Sequence, residues 1–266
     1  MAREHLSSAF ERELRELKEK ILFMGARVEE SIADTMKALL DRSSVLAQKV
    51  IDTDSEIDEL EMEIDEICWR ILALRQPAGR DLRFITTGLK ISTDLERVGD
   101  QAANIAERVL ELNEEERLKP YIDLPLMAQK AQEMIKNSLD AMVNEDEALA
   151  RQVCADDAIV DNYMEQIFRE LLTYMLESST NISRAMRLTF VAKYLERIAD
   201  HATNIAEMVI YMLHGTDIRH RHFDEPRTEG EIAKGRAAAV PASPAVQSAQ
   251  APQPPRRAEH PSEPPS

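Results

Sequence analysis

The sequence predicts an all-α protein, two tandem three-helix bundles made by an internal duplication, followed by a disordered C-terminal tail. Only 5% of the 266 residues are aromatic and seven are glycine, while Leu, Ala, Glu, Ile, Met and Arg dominate, residues that lose little side-chain freedom in a helix. Apolar residues recur at three- and four-residue steps over long stretches. A motif also returns: LERVGDQAANIAE at 95–107 and LERIADHATNIAE at 195–207 agree at nine of thirteen positions.

In chain order, Phe10, Leu14, Leu17, Ile21, Met24, Val28, Ile32, Met36 and Leu39 form the first apolar stripe. Ile57, Leu60, Ile64, Ile67, Ile71 and Leu74 form the second, and Leu95, Val98, Ala102, Ile105, Val109 and Leu112 the third. Pro120 and Pro125 break the pattern, and then it repeats. MKALLDRSSVLAQKVIDTDSEID at 36–58 aligns with LDAMVNEDEALARQVCADDAIVD at 139–161, an offset of 103, whereas the motif helices align at an offset of 100. Three residues are therefore lost in the turn between the second and third helix of the repeat. Short turns are expected near 42, 78, 146 and 180. The first bundle then occupies 1–118 and the second 122–215. Nine of the twelve prolines fall between Pro226 and Pro265, among few large apolar residues, so 217–266 reads as a disordered Pro/Ala-rich tail.

The net charge of −16 argues against nucleic acid as a partner, because phosphate binding needs clustered Lys and Arg. From Asp217 onward seven basic residues balance seven acidic ones, so the excess lies on the helical body. No apolar run is long enough to span a bilayer, and the charged, amphipathic N-terminus lacks a secretory pattern. A cytoplasmic protein with no direct membrane insertion is expected. Cys68 and Cys154 stand alone in helical patterns and read as packing residues rather than a disulfide or a zinc site. Methionines 24, 36, 134, 142, 175 and 208 fall on apolar stripes as core filler.

At 100° per residue from Glu96, Asp100 falls at about 40°, Asn104 at about 80°, Glu107 at about 20° and Glu111 at about 60°. One narrow stripe holds them, opposite the apolar positions, and faces outward or toward a partner. A solvated face is the ordinary reading of an acidic helix. Two details argue for more. Glu96 and Asp100 repel at i and i+4 by about 0.2–0.5 kcal/mol, with no lysine interleaved. The second copy keeps Glu196, Asp200, Asn204 and Glu207 on the same stripe, where a solvated face would be free to drift. Carboxylates one turn apart beside an amide oxygen suit hard or borderline divalent and trivalent cations. The candidate metal ligands are thus Glu96, Asp100, Asn104, Glu107, Glu196, Asp200, Asn204 and Glu207, with iron, manganese, zinc and magnesium all open as the ion.

The doubled motif, each copy on the third helix of a duplicated bundle, together with RQPAGRDLRF at 75–84, resembles the PhoU family of phosphate-specific transport system accessory proteins. The resemblance covers residues 1–215. It implies a cytosolic, non-enzymatic negative regulator of phosphate uptake and phosphate-starvation signalling. It also implies metal ions or multinuclear clusters at Glu96/Asp100 and Glu196/Asp200. The partners it implies are a phosphate-sensing histidine kinase, the ATP-binding subunit of the phosphate importer, and a second copy in a homodimer. The tail lies outside the resemblance.

Two rival classes are a metal-dependent hydrolase on a helical bundle and a metal-free structural adaptor. Di-iron oxidases need a Glu-x-x-His pair from each of two helices, and no body histidine lies three residues after a glutamate. No serine or cysteine nucleophile has a recognisable base either. His201 lies off the acidic stripe and reads as a surface residue. Arg75, Arg80 and Arg83 cluster at the Pro77 turn, where an anion site competes with the simpler reading of arginines paired to nearby carboxylates.

Overall fold

A computed structural model describes residues 2–216, with side chains from residue 8 onward. Within them lie α1 (Ala2–Asp41), α2 (Ser44–Arg75), α3 (Gly79–Asn113), α4 (Asp123–Asn144), α5 (Glu147–Glu177) and α6 (Ile182–His214), with a single 3₁₀ turn at Ser179–Asn181 before α6. No strand is present among the described residues. The predicted tail lies outside them.

The apolar stripes explain the packing. Each predicted stripe is buried along its length, with Phe10 and Leu14 half-buried at one end and Leu74 the exception, 68% exposed at the end of α2. α1 packs on α2 and α3, and α4 on α5 and α6, giving two three-helix bundles. The bundles share one core, because α3 packs on α6 as extensively as on α2, and α1 touches α4. The α3–α6 pair is antiparallel: Arg83 Nε donates to the Met212 carbonyl at 2.9 Å, and Arg187 Nε donates to Glu111 Oε2 at 2.7 Å. The helices α2, α3, α6 and α5 thus form one layer, backed by α1 and α4.

Both repeats turn the same way after their first helix. Arg42 (φ 55°) and Glu145 (φ 56°) are left-handed, a conformation that costs a non-glycine residue about 1 kcal/mol. The next residue closes the helix end, Ser43 N–H donating to the Ala38 carbonyl at 2.9 Å and Asp146 N–H to Ala141 at 3.0 Å. Ser43 Oγ and Asp146 Oδ1 then cap the following helix by accepting from Leu46 and Leu149 N–H. The repeats part at the next turn. Gln76, Pro77 and Ala78 separate α2 from α3, whereas α5 passes through Ser178 straight into the 3₁₀ turn, which accounts for the three residues the alignment loses. Cys68 is buried and Cys154 half-buried, both free, and burial pushes each thiol up to about 12.

Candidate functional site: two carboxylate clusters at helix edges

The acidic stripe is not uniformly solvated: Glu107, Asp200 and Asn204 are exposed, whereas Glu96 and Glu196 are largely covered. Glu96, with 16% of its side chain exposed, and Asp100 lie along the edge where α3 meets α2. There α2 presents Asp54 and Asp58, again one turn apart. Burial first, then the Asp100 and Asp58 carboxylates, push the Asp54 carboxyl up to about 6. Burial and Asp100 likewise raise Glu96. The second repeat builds the same arrangement at the α5–α6 edge. Burial, then Asp161 and Asp200, push Asp157 up to about 6, and burial and Glu196 raise Asp200. Each edge therefore gathers four carboxylates, two from each helix, and two of the four at each edge are raised by burial and their neighbours.

The α2 and α5 partners, Asp54, Asp58, Asp157 and Asp161, escaped the helix-wheel reading of the motif. A signal was present, since both pairs have i, i+4 spacing and match at the offset of 103. No lysine is interleaved on the α3 stripe, but Arg97 reaches in from beside it to Glu96 (3.3 Å) and Asp100 (3.2 Å). In the second repeat Lys193 pairs with Glu196.

The remaining predicted ligands sit apart from these centres. Asn104 is half-buried farther along α3, and Glu107 is exposed and pairs with Arg108 at 3.2 Å. Asn204 turns toward α3, its Nδ2 donating to Asp94 Oδ1 at 3.3 Å. His201 Nδ1 lies 2.9 Å from the same oxygen, so this histidine ties the two repeats together rather than standing on the surface. Between α3 and α6 a groove of about 690 Å³ runs from Lys90, Thr93 and Asp94 to Asp200, Asn204 and Glu207. The arginines of the Pro77 turn are occupied: Arg75 makes two 2.8 Å hydrogen bonds to Glu13, Arg80 pairs with Glu145, and Arg83 holds the Met212 carbonyl.

Two observations bear on whether a cation fits. Glu96 Oε2 is cut off from solvent without a hydrogen bond, with Arg97 Nε at 3.3 Å as its ion-pair partner, and the cluster carboxyls that burial and their neighbours push upward would return to the anionic form beside a positive ion. All-oxygen donors are the chemistry that hard cations take. Among the described residues, however, no three His, Cys, Asp or Glu side chains converge at ligating distance. The carboxylates are gathered at two edges without closing on a point.

The comparisons follow the same duplication. The PhoU domain matches residues 21–109 and again 124–209. This chain belongs to the PhoU family. It is 42% identical over 232 residues to the phosphate-specific transport system accessory protein PhoU homolog of Pseudomonas aeruginosa, covering 87% of this chain and 96% of that one. It is 45% identical over 214 residues to the homolog of Aquifex aeolicus, covering 80% and 97%. The crystal structure of PhoU from Pseudomonas aeruginosa superposes with a TM-score of 0.75 at 42% identity, over 78% of this chain and all of that one. The phosphate transport system regulatory protein PhoU from Streptococcus pneumoniae gives 0.72 at 28% identity, over 78% and 98%. Among the described residues no helix is long and apolar enough to cross a membrane.

Proposed function

We propose that this protein is a cytoplasmic accessory regulator of phosphate-specific transport. In this reading it is a negative regulator of phosphate uptake and phosphate-starvation signalling that works as an adaptor, without catalysis of its own. Relatives named for phosphate-specific transport, matched over nearly their whole length, support the transport part. The observation that carries the adaptor part is the doubled cluster, four carboxylates gathered at each helix edge, with Asp54 and Asp157 pushed up by burial and their neighbours. Asp54, Asp58, Glu96 and Asp100 would hold a divalent or trivalent ion in the first repeat, and Asp157, Asp161, Glu196 and Asp200 in the second. Asn104, Glu107, Asn204 and Glu207 extend each set along its helix. A bound ion would supply concentrated positive charge on an otherwise acidic surface. The partners in this reading are the phosphate-sensing histidine kinase, the importer's ATP-binding subunit and a second copy of the chain.

The test is genetic. Deleting the gene should switch on phosphate-starvation genes in phosphate-rich medium, and supplying the protein should silence them. The quadruple variant Glu96→Gln, Asp100→Asn, Glu196→Gln, Asp200→Asn should accumulate normally and fail to silence. An intact phosphate response after deletion removes the regulatory reading. Full silencing by the quadruple variant removes the metal from it.

A further inference from the structure

The two repeats differ along their α2–α3 and α5–α6 hairpins. On α5, Phe168, Leu172 and Leu176 stand at i, i+4 and i+8, and on α6 Ile182, Met186 and Phe190 do the same. All six are between 41 and 80% exposed. The antiparallel register that brings Asp157 and Asp161 beside Asp200 sets Phe168 opposite Phe190, Leu172 opposite Met186 and Leu176 opposite Ile182. Three apolar rungs therefore lie side by side on the open face of the helix layer. Their exposed fractions amount to about three whole residues, or about 500 Å² at roughly 150–200 Å² for each large side chain. That is near the upper end of apolar patches on monomeric proteins.

The first repeat serves as an internal control. At the matching places it carries Asp65, Trp69 and Ala73 on α2, and Leu82, Thr86 and Lys90 on α3. The same hairpin is thus built with Asp65 and Lys90 where the second repeat has Phe168 and Phe190, so the fold does not require the aromatic pair.

We infer that this face is where two copies of the chain pair, which rests on the homodimer reading above and adds the surface to it. An apolar core of about 500 Å² with a polar rim reaches the roughly 800 Å² per partner of a standard stable interface. Between residues 162 and 193 the charged residues are Glu165, Glu170 and Glu177 against Arg169, Arg184, Arg187 and Lys193; with their ion-pair partners Lys119, Glu111, Glu115 and Glu196 counted, the region comes to −1 on a chain of net −16. Two acidic molecules meet at such a nearly neutral face with little repulsion. The patch occurs once per chain, so self-pairing through it is isologous and closes at two copies.

Sedimentation equilibrium of the full chain over a range of concentrations tests this. The wild type should dimerise. The variant Phe168→Asp with Phe190→Lys, which carries over the pair the first repeat uses, should raise the dimer Kd at least about a hundredfold, as loss of two central anchors does. Its helical circular dichroism should stay unchanged. Leu176→Lys, at a position 80% exposed and so harmless to folding, should weaken pairing about tenfold or more. Trp69→Thr on the other hairpin should leave the dimer intact. Wild-type pairing in both patch variants overturns the surface while the homodimer stands. A dimer weakened as much by Trp69→Thr overturns its assignment to the second hairpin. A wild type that stays monomeric throughout removes the homodimer reading itself, and this surface with it.

Discussion

The two repeats contain a natural substitution experiment beside the clusters. Gly99 lies against α2, where an added Cβ would stand 2.9 Å from Ile57 Cδ1, 3.2 Å from Ile57 Cγ2 and 3.3 Å from Asp54 Oδ1. The second repeat has Ala199 in place of the glycine and Val160 in place of the isoleucine, so the methyl gained on one helix is lost on the other. Gly99→Ala alone should gain about 1 kcal/mol of helix propensity and lose about 1–3 kcal/mol to overpacking, because Ile57 is buried and has little room to yield. Ile57→Val alone should cost about 0.5–1.5 kcal/mol. The double variant recreates the second repeat's pair and should be more stable than the sum of the single changes by about 1–2 kcal/mol. Urea midpoints at constant m, measured with chelator present, give the cycle. Additivity within about 0.5 kcal/mol would refute the idea that the two positions share one space.

Further outcomes concern charge and chain ends. Asp54 and Asp157 titrate near 6 when folded against an ordinary 3.8, so the native apo protein holds protons that the unfolded chain has lost between those values. This contribution to stability is full below about pH 4 and disappears as pH rises through about 6. Replacing both by Asn should raise apo stability at pH 7 by roughly 1–2 kcal/mol per site, after allowance for solvent screening, with the difference from wild type shrinking toward pH 4. An unchanged difference across that range in thermal melts would show that these carboxyls are not shifted. Elemental analysis of protein purified without chelators should show metal content halved by Glu96→Gln with Asp100→Asn, an estimate of about one half from ligand count, and abolished in the quadruple variant. Unchanged stoichiometry in the quadruple variant would end the metal hypothesis. Truncation after Gly215 should move the melting temperature by no more than about 1–2 °C, as expected for loss of a segment without core-facing residues. A fall of several degrees would show that the tail docks.

Periodicity made the core legible, since a stripe in one helix reports its own phase. It could not say where the covering partner ends, which is why Leu74 fits the pattern yet stands exposed. The motif revealed Glu96, Asp100, Glu196 and Asp200 because duplication doubled the signal. Asp54 and Asp157 stayed hidden because a helix wheel carries no information about the register between two helices. The same blindness made His201 look like a surface residue, since its partner Asp94 is 107 positions away. Arg97 was missed for a local reason: a long guanidinium can reach both flanking carboxylates from outside the stripe.

The core shared by α3 and α6 also bears on ancestry. One repeat alone would leave uncovered the apolar surface that α3 now lays against α6. An ancestral single-repeat chain with this stripe would have needed another copy, its third helix antiparallel to its own across a two-fold axis. Joining two such genes end to end made that partnership permanent and freed the sides to diverge. Asp94 facing His201, with Tyr194 and Gln101 at the mirror positions, is a pairing that two identical copies could form only in duplicate. The present chain holds it once, so the two sides have diverged at this contact since the duplication.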